Sequence, residues 1–276
     1  MQPYLLLTVD CDLRMASIFT RTKALDTLIN LFEQFNIQGK ATWFLNENHF
    51  FITENHELFL HKIAQRRDTI GIHDHVDLLD NKDNEIANYE FCKRSLNKVN
   101  IWLKKNFYTN SINCHRMGCL YQREVCYKAL SRLGYTIISD AVPGDISLSD
   151  HVGDFVYDNR YMPDALLPFF HDYNNYCDHS STVGHFLNFP IFHMSIVNFN
   201  FKRLEKWIQI SKEKNYDLLP IVWLFHPYEI CSGEGRNYLD EIKITLLQQD
   251  IERLISHYQL TPIGINECST FFYNTK

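Results

Sequence analysis

Features that mark several protein classes are missing from this 276-residue sequence. Its apolar runs are far shorter than the roughly 20 residues that a membrane-spanning helix needs. The opening residues MQP lack the charged head and the cleavage site of a signal peptide. The 27 Lys and Arg are interspersed with 33 Asp and Glu, so no basic surface for nucleic acid or lipid is predicted. We therefore expect a cytoplasmic protein without nucleic-acid or membrane partners; the sequence leaves its oligomeric state open.

The cysteines exclude two further classes. The eight cysteines form no CxxC pair, and their scattered spacing is typical of reduced core thiols rather than of a disulfide framework or a zinc-thiolate cluster. We find no repeat, low-complexity tract or interdomain linker. With 45% hydrophobic and 14% aromatic residues, the chain can bury a large core, and we expect one domain over residues 1–276.

Strand-like apolar runs alternate with helical periodicity along most of the chain. Helical patterns cover residues 22–35, 54–66, 86–103, 125–133, 201–214 and 238–258. Strand patterns cover residues 4–9, 40–45, 69–72, 111–115, 135–139, 186–192, 218–225 and 262–265. Such alternation implies parallel strands joined by crossover helices. The predicted fold is α/β, a single distorted (β/α)7-type barrel.

One long segment departs from this alternation. Between residues 141 and 184 the periodicity fades, prolines accumulate, and at most a short hairpin near residues 154–161 is predicted. Loops of this length in a compact domain are usually lids or substrate-binding segments. We expect an irregular insertion there.

The first apolar run stops abruptly at two acids, Asp10 and Asp12. If the strand continued through both, the carboxylates would point the same way and repel unless a cation or a shared proton lay between them. A turn is the alternative interpretation, because Asp is common where strands stop. The dyad alone does not decide between a turn and a metal ligand beside a base.

Polar clusters follow other predicted strands in the same way. They are Asp10 with Asp12, HDHVD at residues 73–77, Arg116, Asp140 and His226. In a parallel barrel these positions converge on the carboxyl-end face, where active sites are assembled. A carboxylate with two or more His or Asp groups suits Zn²⁺ or another divalent ion. Such an ion activates water, which then needs a carboxylate base and a His to protonate the leaving group.

These motifs resemble those of the polysaccharide deacetylase superfamily, also called NodB-homology or carbohydrate esterase family 4. TVDCD at residues 8–12 resembles the first motif, and ATWF at 41–44 resembles the strand that follows it. IGIH at 70–73 is similar to the start of the second motif, RMG at 116–118 to the third, and LFHPYE at 224–229 to the fifth. GYTIISD at 134–140 is similar to the strand before the fourth. The order and spacing match over nearly the whole chain.

The resemblance implies a role for each matching residue. Asp10 would be the base and Asp12 a metal ligand, although the inserted Cys11 leaves the exchanged assignment open. His73 would be a second ligand; the second family histidine is replaced by Asp77, with His75 as the alternate ligand. Two further roles are implied, base orientation by Arg116 and general acid catalysis by His226.

The resemblance implies a metal-dependent hydrolase that removes an N-acyl group, typically N-acetyl, from a sugar or glycan precursor. A cytoplasmic location would favour nucleotide- or lipid-linked precursors of surface glycans. Two alternatives stay open, the first because the second motif is altered and the second because the same residues would support it. One is a catalytically silent relative that binds a glycan or a protein partner through residues 141–184. The other is hydrolysis of a different C–N bond, such as deformylation or opening of a cyclic amide.

Overall fold

Helices and strands alternate through most of the chain. The structure is a computed structural model that describes residues 1–12, 15, 17–46, 54–109, 111–148, 155–163 and 167–274. Within these residues the α-helices are α1 (Ile18–Gln34), α2 (Glu54–Gln65), α3 (Glu85–Lys105), α4 (Glu124–Arg132), α5 (Phe201–Glu213), α6 (Glu241–Ser256) and α7 (Ile265–Tyr273).

The strands of the same residues are short, apart from two longer central ones, the first and the eleventh along the chain. The first seven are β1 (Gln2–Asp10), β2 (Thr42–Leu45), β3 (Thr69–Asp74), β4 (Cys114–Met117), β5 (Ile137–Ile138), β6 (Ile146–Leu148) and β7 (Phe155–Asp158). The others are β8 (Phe169–His171), β9 (Phe186–Asn188), β10 (Ile191–Met194), β11 (Leu218–Phe225), β12 (Cys231–Ser232), β13 (Tyr238–Leu239) and β14 (Thr261–Pro262).

Backbone contacts divide the chain into two compact units. The first comprises Met1–Ile70 with Phe192–Cys268, and the second comprises Gly71–Ile191 with Ser269–Lys276. Two strands cross the boundaries along the chain, because β3 begins in the first unit and β10 begins in the second. The single domain that the sequence predicts stays a prediction.

The first unit is built around β1 and β11, two apolar strands that pair in parallel along most of their length. Their register runs from Gln2 opposite Leu218 to Val9 opposite Phe225, and β2 pairs in parallel on the other edge of β1. Residues 5–10 of β1 and 219–225 of β11 are all buried. Near-continuous burial of this kind is typical of parallel strands covered on both faces. The carboxyl ends of β1 and β11 are therefore buried.

The second unit carries strands in the order β3-β4-β5-β9-β8. Pairing is parallel from β3 to β9, whereas β8 runs antiparallel to β9. His73 lies opposite Arg116 in the register of β3 and β4. Parallel pairing therefore brings the ends of two motif-bearing strands side by side.

The predicted α/β class, with parallel strands and crossover helices, is confirmed, and some details differ. β4 begins at Cys114, three residues later than predicted, and the strand pattern at 186–192 is split into β9 and β10. Within the insertion, β7 pairs with β6 rather than within residues 154–161; residues 149–154 lie outside the described part.

The end of the chain also differs from its prediction. The closing strand is only β14, and Ile265 begins helix α7 instead of ending a strand. This helix packs through its apolar side chains. The rings of Phe272 and Phe189 lie edge to face, with their centroids 5.9 Å apart. Among the described residues, no helix is both long and apolar enough to cross a membrane.

Candidate metal centre and active site

In the first unit, β1 ends at Asp10 and the chain turns immediately. The Asp12 N–H donates to the Asp10 carbonyl at 2.8 Å, and the Cys11 N–H donates to the Phe44 carbonyl at 2.8 Å. Both acids are 2% exposed. Asp12 therefore lies beyond the strand, so the expectation of two carboxylates on one strand face does not apply. The turn interpretation holds for the backbone, yet both carboxylates are buried as those of a site would be.

The side-chain amide of Asn46 binds the second acid, Asp12. Asn46 Nδ2 donates to Asp12 Oδ1 at 2.9 Å, and Asn46 is itself buried directly after β2. Sequence reasoning missed Asn46, although a polar residue directly after a buried strand is the same signal that identified Asp10. Burial and the charges of Asp10 and Asp12 raise the pKa of the Cys11 thiol well above its usual value. Cys11 therefore remains a neutral core thiol between the two acids.

His226 follows β11 and begins a short turn. Its Nδ1 lies 2.8 Å from Glu229 Oε1, and its ring stacks on that of Tyr228 with centroids 4.8 Å apart. The side chain of His226 is 21% exposed. The sequence predicted the position of His226 at a strand end but not its carboxylate partner.

In the second unit, two histidines at the end of β3 lie against each other. The rings of His73 and His75 meet edge to face, with centroids 4.8 Å apart, and the two residues are 2% and 6% exposed. His73 Nδ1 lies 3.1 Å from the backbone carbonyl of Arg116. Because a carbonyl can only accept, His73 Nδ1 carries the hydrogen and Nε2 carries the lone pair.

His75 is held in a similar way by a carboxylate. Its Nδ1 lies 3.2 Å from Asp77 Oδ1, and Asp77 is 3% exposed. Gly118 leaves room for this ring, because a Cβ built on Gly118 would overlap the imidazole of His75. The glycine of the third motif thus permits the position of a histidine of the second.

Arg116 is fully buried and fixed by the end of β5. Its Nε donates to the Ser139 carbonyl and its Nη2 to Ser139 Oγ, both at 2.8 Å. Asp140, the next residue, accepts from the Met117 N–H at 2.9 Å. Burial raises the pKa of Asp140 to about 6, against the opposing effects of nearby cations and donors. The strand-end arginine therefore has a rigid polar support.

Asp74, which lies between His73 and His75 in the sequence, belongs to a separate buried hydrogen-bond network. Ser95 Oγ of α3 donates to Asp74 Oδ1 at 2.6 Å, and His115 Nε2 of β4 lies 3.1 Å from Asp74 Oδ2. With Cys92, Asp74 and His115 form a buried group of metal-ligand types. The hydrogen bonds already occupy both carboxylate oxygens, so this network ties β3 to its neighbours.

The structure thus groups the predicted site residues within each unit. In the first unit Asp10 and Asp12 share one turn, and His226 ends β11. In the second unit His75 contacts both His73 and Asp77, and His73 also contacts the backbone of Arg116. Two imidazoles with defined lone pairs and a carboxylate are donors suited to a borderline divalent ion.

Comparison with known proteins finds similarity in structure but not in sequence. No protein-family model matches the chain, and no curated protein matches it. A crystal structure named as a polysaccharide deacetylase from Mycobacterium smegmatis superposes with a TM-score of 0.63 at 12% identity, covering 99% of this chain and 91% of that one.

Two further solved structures are similar to a lesser degree. A structure named as a polysaccharide deacetylase involved in O-antigen biosynthesis, from Bordetella bronchiseptica, has a TM-score of 0.45 at 16% identity, covering 90% of this chain and 81% of that one. A 4-α-glucanotransferase from Thermococcus litoralis has a TM-score of 0.55 at 9% identity, covering 99% of this chain and 38% of that one. The chain therefore shares the fold of the Mycobacterium smegmatis structure.

Proposed function

We propose that the protein is a metal-dependent hydrolase that removes an N-acyl group, most simply N-acetyl, from a sugar or glycan precursor. Asp12, His73 and a third residue, His75 or Asp77, would hold Zn²⁺ or another divalent ion. Asp10 and His226 would be base and acid. The fold shared with the Mycobacterium smegmatis structure and the order of the motifs support this function.

One observation carries the proposal. His73 and His75 both have Nδ1 beside an acceptor, a backbone carbonyl for one and the Asp77 carboxylate for the other. Both rings therefore keep their lone pair on Nε2. Histidine ligands of metals are characteristically held in this way, because the outer hydrogen bond fixes the tautomer and the ring orientation.

The same contacts bear on the third ligand. Asp77 Oδ1 is engaged with His75, which supports His75 as the ligand and Asp77 as the residue that orients it. Asp77 Oδ2 is buried without a hydrogen-bond partner among the described residues, so direct ligation by Asp77 remains the alternative. His75→Ala and Asp77→Asn separate the two. If His75 is the ligand, zinc affinity falls far more in His75→Ala than in Asp77→Asn, for which loss of an orienting contact costs about 10- to 100-fold.

The remaining residues supply the acid–base chemistry. A divalent ion held by these residues would lower the pKa of water and polarise the amide carbonyl. Asp10 takes a proton from the attacking water, whose oxygen adds to the acyl carbon. His226 then gives a proton to the amide nitrogen as the C–N bond breaks, releasing a carboxylic acid and an amine. Arg116, rigidly held by Ser139, would orient the base.

The class of substrate follows from these parts. The name of the Mycobacterium smegmatis structure supports an acylated glycan as the substrate. The third motif and the insertion do not specify the sugar. All eight cysteines are free thiols in the structure, which supports a reducing compartment and hence a nucleotide- or lipid-linked precursor. Cell fractionation with an antibody to the chain tests that location.

Metal content and turnover test the function together. Purified wild type should contain a divalent metal and release acetate from N-acetylhexosamine substrates. Asp12→Ala should lose both properties, because a ligand is gone, while Asp26→Ala on the surface of α1 should keep them. An inactive, metal-free wild type would contradict the proposal. Sugar binding that survives Asp12→Ala, with no turnover in any metal, would instead support a glycan-binding protein without catalysis.

A further inference from the structure

A single half-buried carboxylate, that of Glu229, organises the turn that carries His226. Glu229 Oε1 accepts from the backbone N–H of His226 at 3.0 Å and lies 2.8 Å from Nδ1 of the same residue. Glu229 Oε2 accepts from the Ile196 N–H at 2.9 Å, in the segment that follows β10. The Glu229 N–H in turn donates to the His226 carbonyl at 3.0 Å. Both carboxylate oxygens are thus fully used within the first unit.

These contacts require an ionised Glu229. Its two backbone partners are N–H groups, which can only donate, so a proton on the carboxyl group would meet another donor. Burial by itself raises the pKa of Glu229, but the hydrogen bonds and charge of His226 and the Ile196 N–H outweigh it, and the pKa lies below the usual value. An ionised carboxylate is an acceptor only. His226 Nδ1 must therefore carry a hydrogen.

The segment that supplies the Ile196 N–H is itself fixed. The Trp223 indole Nε1 donates to the Ser195 carbonyl at 2.7 Å, and the Ser195 N–H donates to the Leu224 carbonyl at 2.9 Å. Ser195 has a φ of 112°, which a non-glycine residue adopts only where the surroundings impose it. Glu229 thus joins the His226 turn to a segment held by β11.

We propose that Glu229 is a positioning residue for the proposed reaction: it holds His226 as the Nδ1–H tautomer with a fixed ring orientation, so that Nε2 exchanges the proton with the leaving amine. The proposal rests on the proposed function for its chemical consequence but not for the tautomer. The proton leaves His226 Nε2 for the amide nitrogen as the C–N bond breaks, while Nδ1 keeps its hydrogen throughout. A His without such a partner would divide between two tautomers.

Imidazole ¹⁵N NMR on the full chain tests the tautomer directly. In wild type at alkaline pH, the His226 signals should show one neutral tautomer with hydrogen on Nδ1. Glu229→Ala removes the acceptor, so both tautomers should be populated. Glu229→Gln keeps the size of the side chain but must turn its amide group toward a donor at His226 or Ile196, so it should lose the fixed tautomer or the Ile196 contact.

Kinetics then distinguish positioning from general structural support. Both Glu229 variants should lower kcat by about 10- to 100-fold, part of the contribution of a placed general acid, with KM and zinc content near those of wild type. The matched control is Asp240→Ala, which removes a carboxylate that accepts from Ile242 and Lys243 N–H groups at the start of α6. It should leave the tautomer and kcat unchanged.

The outcomes are separable. An unchanged Nδ1–H tautomer in both Glu229 variants, or a kcat equal to that of wild type in both, would overturn the positioning role. A wild type without turnover would overturn the proposed function, and the NMR measurement would still decide whether Glu229 fixes the tautomer.

Discussion

At the scale of single residues, the two histidines at the end of β3, His73 and His75, acquire the same protonation pattern from different partners. Nδ1 of His73 lies beside the backbone carbonyl of Arg116, which always accepts a hydrogen bond. Nδ1 of His75 lies beside the side-chain carboxylate of Asp77. The first arrangement depends only on the register of β3 and β4. The second depends on Asp77 and on the space that Gly118 leaves, so His75 is the more easily disturbed of the pair.

Gly118→Ala should therefore act on metal binding more than on folding. The new methyl group would overlap the His75 ring, which must then move away from Asp77. Because this removes the orienting contact, we expect zinc affinity to fall by about 10- to 100-fold, measured by competition with a chelating dye. Gly144→Ala is the control, since its φ of 79° adds backbone strain but no atom lies within 4 Å of the new Cβ. Equal affinities in wild type and Gly118→Ala would contradict this role of the glycine.

Asp140 predicts a pH dependence of stability. Burial raises its pKa from the ordinary 3.8 to about 6, so between these values the folded chain holds a proton that the unfolded chain releases. Its stabilising contribution is therefore present below about pH 4 and is lost as the pH rises through about 6. Relative to Asp140→Asn, the free energy of unfolding of wild type should fall over this window, by on the order of 3 kcal/mol.

Urea denaturation of both proteins across that pH range measures the difference. His171 gives the opposite slope, because burial lowers its pKa to about 4, but it is present in both proteins and cancels. A difference between wild type and Asp140→Asn that is constant with pH would show that Asp140 titrates normally.

At the scale of elements, a buried acid joins the end of α2 to β2. Asp68 accepts from the Gly39 N–H at 2.7 Å, from Trp43 Nε1 at 3.0 Å and from Arg66 Nε at 2.8 Å. Arg66 is 5% exposed, and its other carboxylate partner, Glu33, lies mostly in solvent. Asp68 is therefore the main neutralising partner of a buried cation just before β3.

Asp68→Ala should destabilise the chain by about 3–5 kcal/mol, because Arg66 would be left buried beside a single exposed partner. The matched control is Asp26→Ala. Its pair with Lys62 at 2.6 Å is exposed on both sides, so its loss should cost less than about 1 kcal/mol. Thermal denaturation followed by circular dichroism measures both. Equal losses in the two variants would show that burial of Arg66 does not matter.

The helices and strands also show how much of the fold can be predicted from the sequence. β11 spans the residues that were predicted, because an apolar run of eight residues has the length of a buried strand rather than of a helix. α7 was missed because a short apolar stretch near a proline satisfies strand and helix patterns alike. The positions of Asp10, His73 and His226 at strand ends follow from where apolar runs stop. Asn46 and Glu229 could not be ranked in advance, since their roles depend on hydrogen bonds across different strands and turns.

At the scale of the whole molecule, a metal bound only by the folded chain should stabilise it. Zinc at about 100 times its Kd should add about 2.7 kcal/mol, which corresponds to a rise in Tm of several degrees for a chain of this length. The rise should vanish in His73→Ala and be reversed by a chelator in wild type. Differential scanning fluorimetry with and without zinc measures it. An equal rise in His73→Ala would indicate binding elsewhere on the chain.

The fold alone does not carry the function, because a glucanotransferase shares it at a TM-score of 0.55. The central claim is that His73 and His75, at the end of β3, bind a metal through Nε2. Anomalous diffraction at the zinc edge, from crystals grown with equimolar zinc, tests it most directly. We expect one strong peak about 2.0–2.1 Å from Nε2 of both His73 and His75. A zinc peak elsewhere in the crystal, with both rings unligated, would contradict the account.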